Sequence, residues 1–176
     1  TGANANFKAC IDAAVDLHKR GLFGKTIYAE ASYIHDVRRY FKVTPWRATI
    51  EPIHYCTHSL GPVLRLMDED LEWVSCFDTG SHINKVKGQH DVMSALFRTK
   101  SNVVVRLLTS FINNYVGARH AYKFFTTEGC FETVSGYPRT DRMVLFYSQK
   151  LDKLNKTWMQ LPVDLYMPPA LMGNPK

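Results

Sequence analysis

The stretch "DVMSALFRTKSNVVVRLLTSF", residues 91–111, holds two short runs rich in β-branched and aromatic residues, parted by Lys100, Ser101 and Asn102. Each run has strand length and strand composition, and the polar break between them suits a turn. So short a link can join antiparallel strands but not parallel ones, which need a crossover of a dozen residues or more. The same texture recurs in "LEWVSCFD" (71–78), "RHAYKFFTTE" (119–128), "CFETV" (130–134) and "RMVLFYSQ" (142–149). In "LEWVSCFD", Leu71, Trp73 and Phe77 alternate with Glu72 and Asp78, which predicts a sheet with one face buried under helices.

Upstream the period changes. Phe7, Cys10, Ile11, Ala14, Val15 and Leu17 recur at helical spacing, predicting a helix from about Asn4 to Arg20 that Gly21 ends. "KTIYAEASYIH" (25–35) then reads as a strand with Ile27, Ala29, Ala31 and Tyr33 on one face. A second helix is predicted from Pro52, with Ile53, Cys56, Leu60, Val63, Leu64 and Met67 as its buried stripe. Helices first and strands later predict an α+β fold: an open, mainly antiparallel sheet with helices on one face. The last segment, with Pro162, Pro168, Pro169 and Pro175, reads as irregular.

Composition narrows the function. The 176 residues are 45% apolar, enough for one domain with a substantial core, and no apolar run approaches the roughly 18 residues of a membrane span. Cys10, Cys56, Cys76 and Cys130 are dispersed without CxxC spacing, which predicts reduced thiols in a cytoplasmic protein. The net charge is +6, but Lys and Arg are scattered and no nucleic-acid-binding fingerprint accompanies them. The basic balance favours anionic small ligands over nucleic acid. No GxGxxG and no phosphate-binding loop is present.

"PIHYCTHSLGP" (52–62) carries the chemistry. His54 and His58 stand one helical turn apart, and Pro62 lacks the N–H that the His58 carbonyl would otherwise accept. A kink or an open carbonyl is expected at His58, with Gly61 allowing close backbone approach. Three readings are open for the two histidines. They could chelate a metal, although Tyr55 stands where a zinc peptidase needs its glutamate and a third ligand would have to come from His35, Asp36 or Cys56. They could be hydrogen-bonded core residues. Or His58 could move a proton, with Tyr55 and Arg47 holding a polyhydroxylated ligand. "YIHD", Tyr33 to Asp36, ends the first strand, where side chains often line a pocket, and could equally be a capped strand terminus.

In combination, "RGLFGKTIYAEASYIHD" (20–36), "WR" (46–47), "YCTHSLGPVLRLMD" (55–68) and "FFTTEGCFET" (124–133) resemble the C-terminal domain of the Gfo/Idh/MocA oxidoreductases, over about residues 8 to 134. The resemblance implies that residues 1–176 are the C-terminal substrate-binding and oligomerisation domain of a longer enzyme. In that family an N-terminal Rossmann domain carries NAD or NADP, and the second domain supplies the sheet, the sugar pocket and often the oligomer interface. His58 matches the family's catalytic histidine; His54 stands where the family has an aspartate. "Y-x-T-H-S-L-G-P" is also similar to the NAD-dependent α-N-acetylgalactosaminidase branch, with Cys56 in place of its proline and Ser59 in place of its glycine. That likeness implies sugar contacts for Arg47, Tyr55 and His58, with His54, His35 and Tyr33 in support. The implied functions are oxidation of a sugar, sugar derivative or cyclitol, redox-assisted glycoside cleavage, or sugar binding and dimerisation without catalysis. The implied partners are a carbohydrate and further copies of the chain, with no metal, nucleic acid or membrane.

Overall fold

The computed structural model of the chain describes residues 4–86, 88–117, 119–133, 144–161 and 163–166. Eight strands form a single sheet: β1 (Thr26–Ile34), β2 (Leu71–Asp78), β3 (Val92–Thr99), β4 (Val104–Ser110), β5 (His120–Thr126), β6 (Gly129–Thr133), β7 (Val144–Ser148) and β8 (Met159–Gln160). Their order is β2-β3-β4-β1-β5-β6-β7-β8, and every neighbouring pair is antiparallel except β1 with β4. Residues 35–103 separate that parallel pair, a link long enough to cross over and return in the same direction. The α+β expectation of an open, mainly antiparallel sheet with helices on one face holds.

Helices α1 (Ala9–Lys19) and α2 (Thr57–Met67) cover one face of the sheet. Cys10, Ile11, Ala14 and Leu17 of α1, with Leu60, Val63 and Leu66 of α2, pack against Ala29 and Ala31 of β1, Val105 and Leu107 of β4, and Phe124, Phe131 and Phe146 beyond. The small side chains on β1 leave room for α2 to lie close to the sheet. Tyr166, in a 3-10 turn near the end of the described chain, ties this layer down by donating a 2.7 Å hydrogen bond to Asp16 on α1.

Several local expectations change. Residues 4–7 form a separate 3-10 turn because Lys8 is extended, which takes Phe7 out of the α1 stripe and leaves it 75% exposed. Pro52–Tyr55 is likewise a 3-10 turn, so α2 starts at Thr57; Leu66 is buried and Leu64 only half-buried. Ile27 is exposed because the β1–β5 register shifts between Thr26 and Tyr28. The largest departure is β2. As an edge strand beyond the helices it buries neither face, and Trp73 and Phe77 are 59% and 73% exposed. The tail supplies the short strand β8 rather than irregular chain alone. Val134, Arg142 and Met143 at strand ends, and Pro162, Pro168, Pro169 and Pro175, lie outside the described residues.

Phe131 sits at the centre of the packed layer, 1% exposed, with its ring 5.6 Å from that of Phe124. Phe131→Ala is expected to lower the unfolding free energy by about 3–5 kcal/mol in urea titrations. An unchanged midpoint would contradict this placement of the core.

Candidate functional site

The site is assembled at the C-terminal end of β1. Tyr33 is the last buried residue of that strand, and the register sets it opposite His120 on β5 and Thr109 on β4. Its ring centroid lies 4.9 Å from that of His120, 5.3 Å from Tyr55, 5.8 Å from His35, 5.9 Å from His58 and 6.0 Å from Phe111. The Tyr33 hydroxyl is 2.9 Å from His35 Nδ1. Tyr55 and His58 stack face to face at 4.2 Å with 12° between their planes, so the phenol fixes the attitude of the imidazole. Three histidines and two tyrosines thus surround one spot at the junction of sheet and helix.

The open carbonyl that Pro62 creates has a defined partner. Tyr122 of β5, two residues from His120 and on the same strand face, donates its hydroxyl to the His58 carbonyl at 2.8 Å. A phenol from the sheet therefore replaces the missing helical N–H, and it pins the backbone of His58 to β5. The same hydroxyl lies 3.4 Å from His120 Nδ1. Gly61 admits the close approach expected of it: a Cβ there would come within 2.4 Å of the Asn6 side-chain oxygen.

Electrostatics keep the rings uncharged. Burial drives His120 down to about 3, helped by the charges of Lys8 and Arg119. Burial, then Arg119, Arg39 and Arg47, bring His35 to about 4. Burial lowers His58 as well, and it pushes the Tyr33 phenol up to about 12. At neutral pH all three imidazoles are neutral and Tyr33 is a hydrogen-bond donor. His58 Nδ1 and His35 Nε2 are buried and have no hydrogen-bond partner among the described residues.

The structure brings Tyr33, His35, Tyr55 and His58 together. Arg47 borders the group, with its guanidinium 4.5 Å from the Trp46 ring centroid and 5.9 Å from that of Tyr40. His54 is exposed on the 3-10 turn, outside the ring cluster. His54 and His58 meet no third ligand: among the described residues no group of three His, Cys, Asp or Glu is placed to hold a metal ion. His120 and Tyr122 were not singled out from the sequence. Their signal was available, since alternation in "HAYKF" puts both on the core-facing side with Phe124, where polar side chains need a reason.

No family model and no curated protein matches the chain. Solved structures do match in fold. An inositol dehydrogenase homologue from Azotobacter vinelandii, complexed with NADH and myo-inositol, superposes with a TM-score of 0.69 at 14% identity, over 92% of this chain and 42% of that one. An oxidoreductase from Sinorhizobium meliloti gives 0.68 at 12%, over 91% and 42%. UDP-N-acetylglucosamine 3-dehydrogenase from Acidithiobacillus ferrooxidans gives 0.58 at 14%, over 86% and 44%. The fold is shared with these oxidoreductase structures. The chain spans less than half the length of these three structures, and at such identities the likeness is one of fold.

The described residues form no βαβ dinucleotide-binding unit. The one parallel pair, β1 and β4, is not a βαβ unit with a glycine-rich turn, and no strand leads through such a turn into a helix. Among the described residues no helix is long and apolar enough to cross a membrane.

Two expectations follow from these features. Calorimetric titration of the chain with NADH should give no dissociation constant tighter than about 10 µM, since that would mean roughly 7 kcal/mol of binding without a dinucleotide site. The depressed histidines also make stability depend on pH. Between the unfolded value of 6.5 and the folded values near 4 and 3, the unfolded chain binds more protons. Stability is therefore full above about pH 6.5 and is lost as the pH falls through that window. His120→Gln should flatten the dependence in urea unfolding at about pH 7 and pH 5, and an equally steep loss in the variant would contradict the assignment.

Proposed function

We propose that this chain is the substrate-binding domain, placed C-terminally in a longer enzyme, of an NAD(P)-dependent oxidoreductase acting on a sugar, sugar derivative or cyclitol. The observation that carries the reading is the cluster of Tyr33, His35, Tyr55 and His58 at the end of β1, on a fold shared with oxidoreductases. His58 is the acid/base: as a neutral imidazole it accepts the proton of the hydroxyl being oxidised. Tyr55 holds its ring in place, and Tyr122 holds its backbone. Tyr33, His35 and Arg47 bind neighbouring hydroxyls, with His54 at the rim. The nicotinamide, held by another domain, supplies the hydride acceptor.

Redox-assisted glycoside cleavage is the second reading, favoured by the stacked Tyr55–His58 pair within "Y-x-T-H-S-L-G-P". Both readings place the protein in the cytoplasm, in keeping with four free cysteines. Self-association runs through the sheet, where Trp73, Val74, Phe77 and Leu96 of β2 and β3 are exposed.

In the enzyme containing this domain, His58→Ala is expected to lower kcat by about 100-fold or more while thermal stability moves little. Because burial lowers His58, the acid limb of kcat/KM should fall below pH 6.5. Unchanged turnover in the variant would return His58 to a packing role.

A further inference from the structure

Three guanidinium groups beside the ring cluster face no carboxylate among the described residues. Arg39 Nη2 donates to the Tyr40 hydroxyl at 2.6 Å, and its guanidinium carbon is 4.6 Å from the Tyr40 ring centroid. Arg47 lies 5.9 Å from the same ring, which is itself 6.1 Å from the ring of His35. Arg119 precedes His120 on the neighbouring strand, and its carbonyl accepts a 2.9 Å hydrogen bond from the Ile34 N–H. Arg119, Arg39 and Arg47 are the three cations whose fields bear most on His35. No carboxylate among the described residues pairs with any of them. The one acid next to His35, Asp36, is committed to Arg38 through a two-pronged contact at 2.6 and 2.9 Å.

This leaves a site with a positive field and neutral rings. Like charges gathered at the edge of a low-dielectric cluster repel one another more strongly than in bulk water. The imidazoles are uncharged and Tyr33 stays protonated, and of the charges that bear most on His35 only Asp36 opposes the three arginines. Elsewhere Arg20, Arg38, Arg65, Arg106, Lys123 and Lys150 face carboxylates, while Arg98 lies over the Trp73 ring. Guanidinium forks match the geometry of carboxylate and phosphate oxygens.

We infer that the site takes an anionic sugar derivative, bearing a carboxylate or a phosphate ester, held by Arg39, Arg47 and Arg119 while its hydroxyls meet Tyr33, His35 and His58. The inference rests on the sugar reading above and adds the charge of the substrate.

Calorimetry of the protein with D-glucuronate, D-glucose 6-phosphate, D-glucose and inorganic phosphate tests it. At least one charged sugar should bind about tenfold or more tighter than glucose, a gap that closes when salt is raised from about 0.01 M to about 1 M. Preference for glucuronate identifies a carboxylate ligand, and preference for glucose 6-phosphate a phosphate ester. Arg39→Gln and Arg119→Gln, both at exposed positions, should each erase the gap and leave glucose affinity in place, with unchanged melting temperature confirming the fold. Equal binding of glucose and the charged sugars overturns the inference and leaves the sugar reading standing. Inorganic phosphate binding as tightly as the sugar phosphate also overturns it, in favour of a bare anion site. No binding by any sugar overturns both.

Discussion

The position of β1 governs the rest of the molecule. It is central in the sheet, parallel to β4 on one side and antiparallel to β5 on the other, and both registers run its length. Its helix-facing residues are Ala29, Ala31 and Tyr33. The two alanines let α2 approach the sheet closely, and the tyrosine then ends the close-packed stretch with a polar ring. A one-residue slip would turn these side chains to the opposite face and remove Tyr33 from His58 and His120. Fold and candidate site therefore depend on the same register.

The contact between Tyr122 and the His58 carbonyl couples the two layers in a second way. Proline inside a helix leaves a carbonyl without its donor, and a buried carbonyl left so costs about 1–3 kcal/mol. Here the donor comes from β5, across the interface between helix and sheet. The helix thus carries a local defect whose remedy fixes the backbone of His58, the proposed acid/base. The Tyr55 ring adds a second constraint from the 3-10 turn that precedes α2. Both constraints act on His58 without occupying its Nδ1 atom, which has no hydrogen-bond partner among the described residues.

Much of this was legible in the residues alone. Strand length and composition identified β2 to β7, and helical spacing identified α1 and α2, because these signals are local. The open carbonyl at His58 followed from Pro62, a covalent property of one side chain. Boundaries were less legible: the extended Lys8 and the 3-10 turn over Pro52–Tyr55 are set by how the chain meets its neighbours. The exposure of Trp73 and Phe77 was hidden for a similar reason, since alternation shows which residues share a face but not whether anything covers it.

By itself the sequence determined the α+β class, the two helices, most of the strands and the grouping of Tyr55 with His58, all governed by periods of two or 3.6 residues and by spacings within one turn. Only the tertiary structure decided the parallel pairing of β1 with β4, the delivery of His120 and Tyr122 from β5, and the gathering of Arg39, Arg47 and Arg119 around His35. Tyr33 and His120, paired across β1 and β5, lie 87 positions apart in the chain. Their meeting depends on sheet register and chain crossover, which no local period encodes.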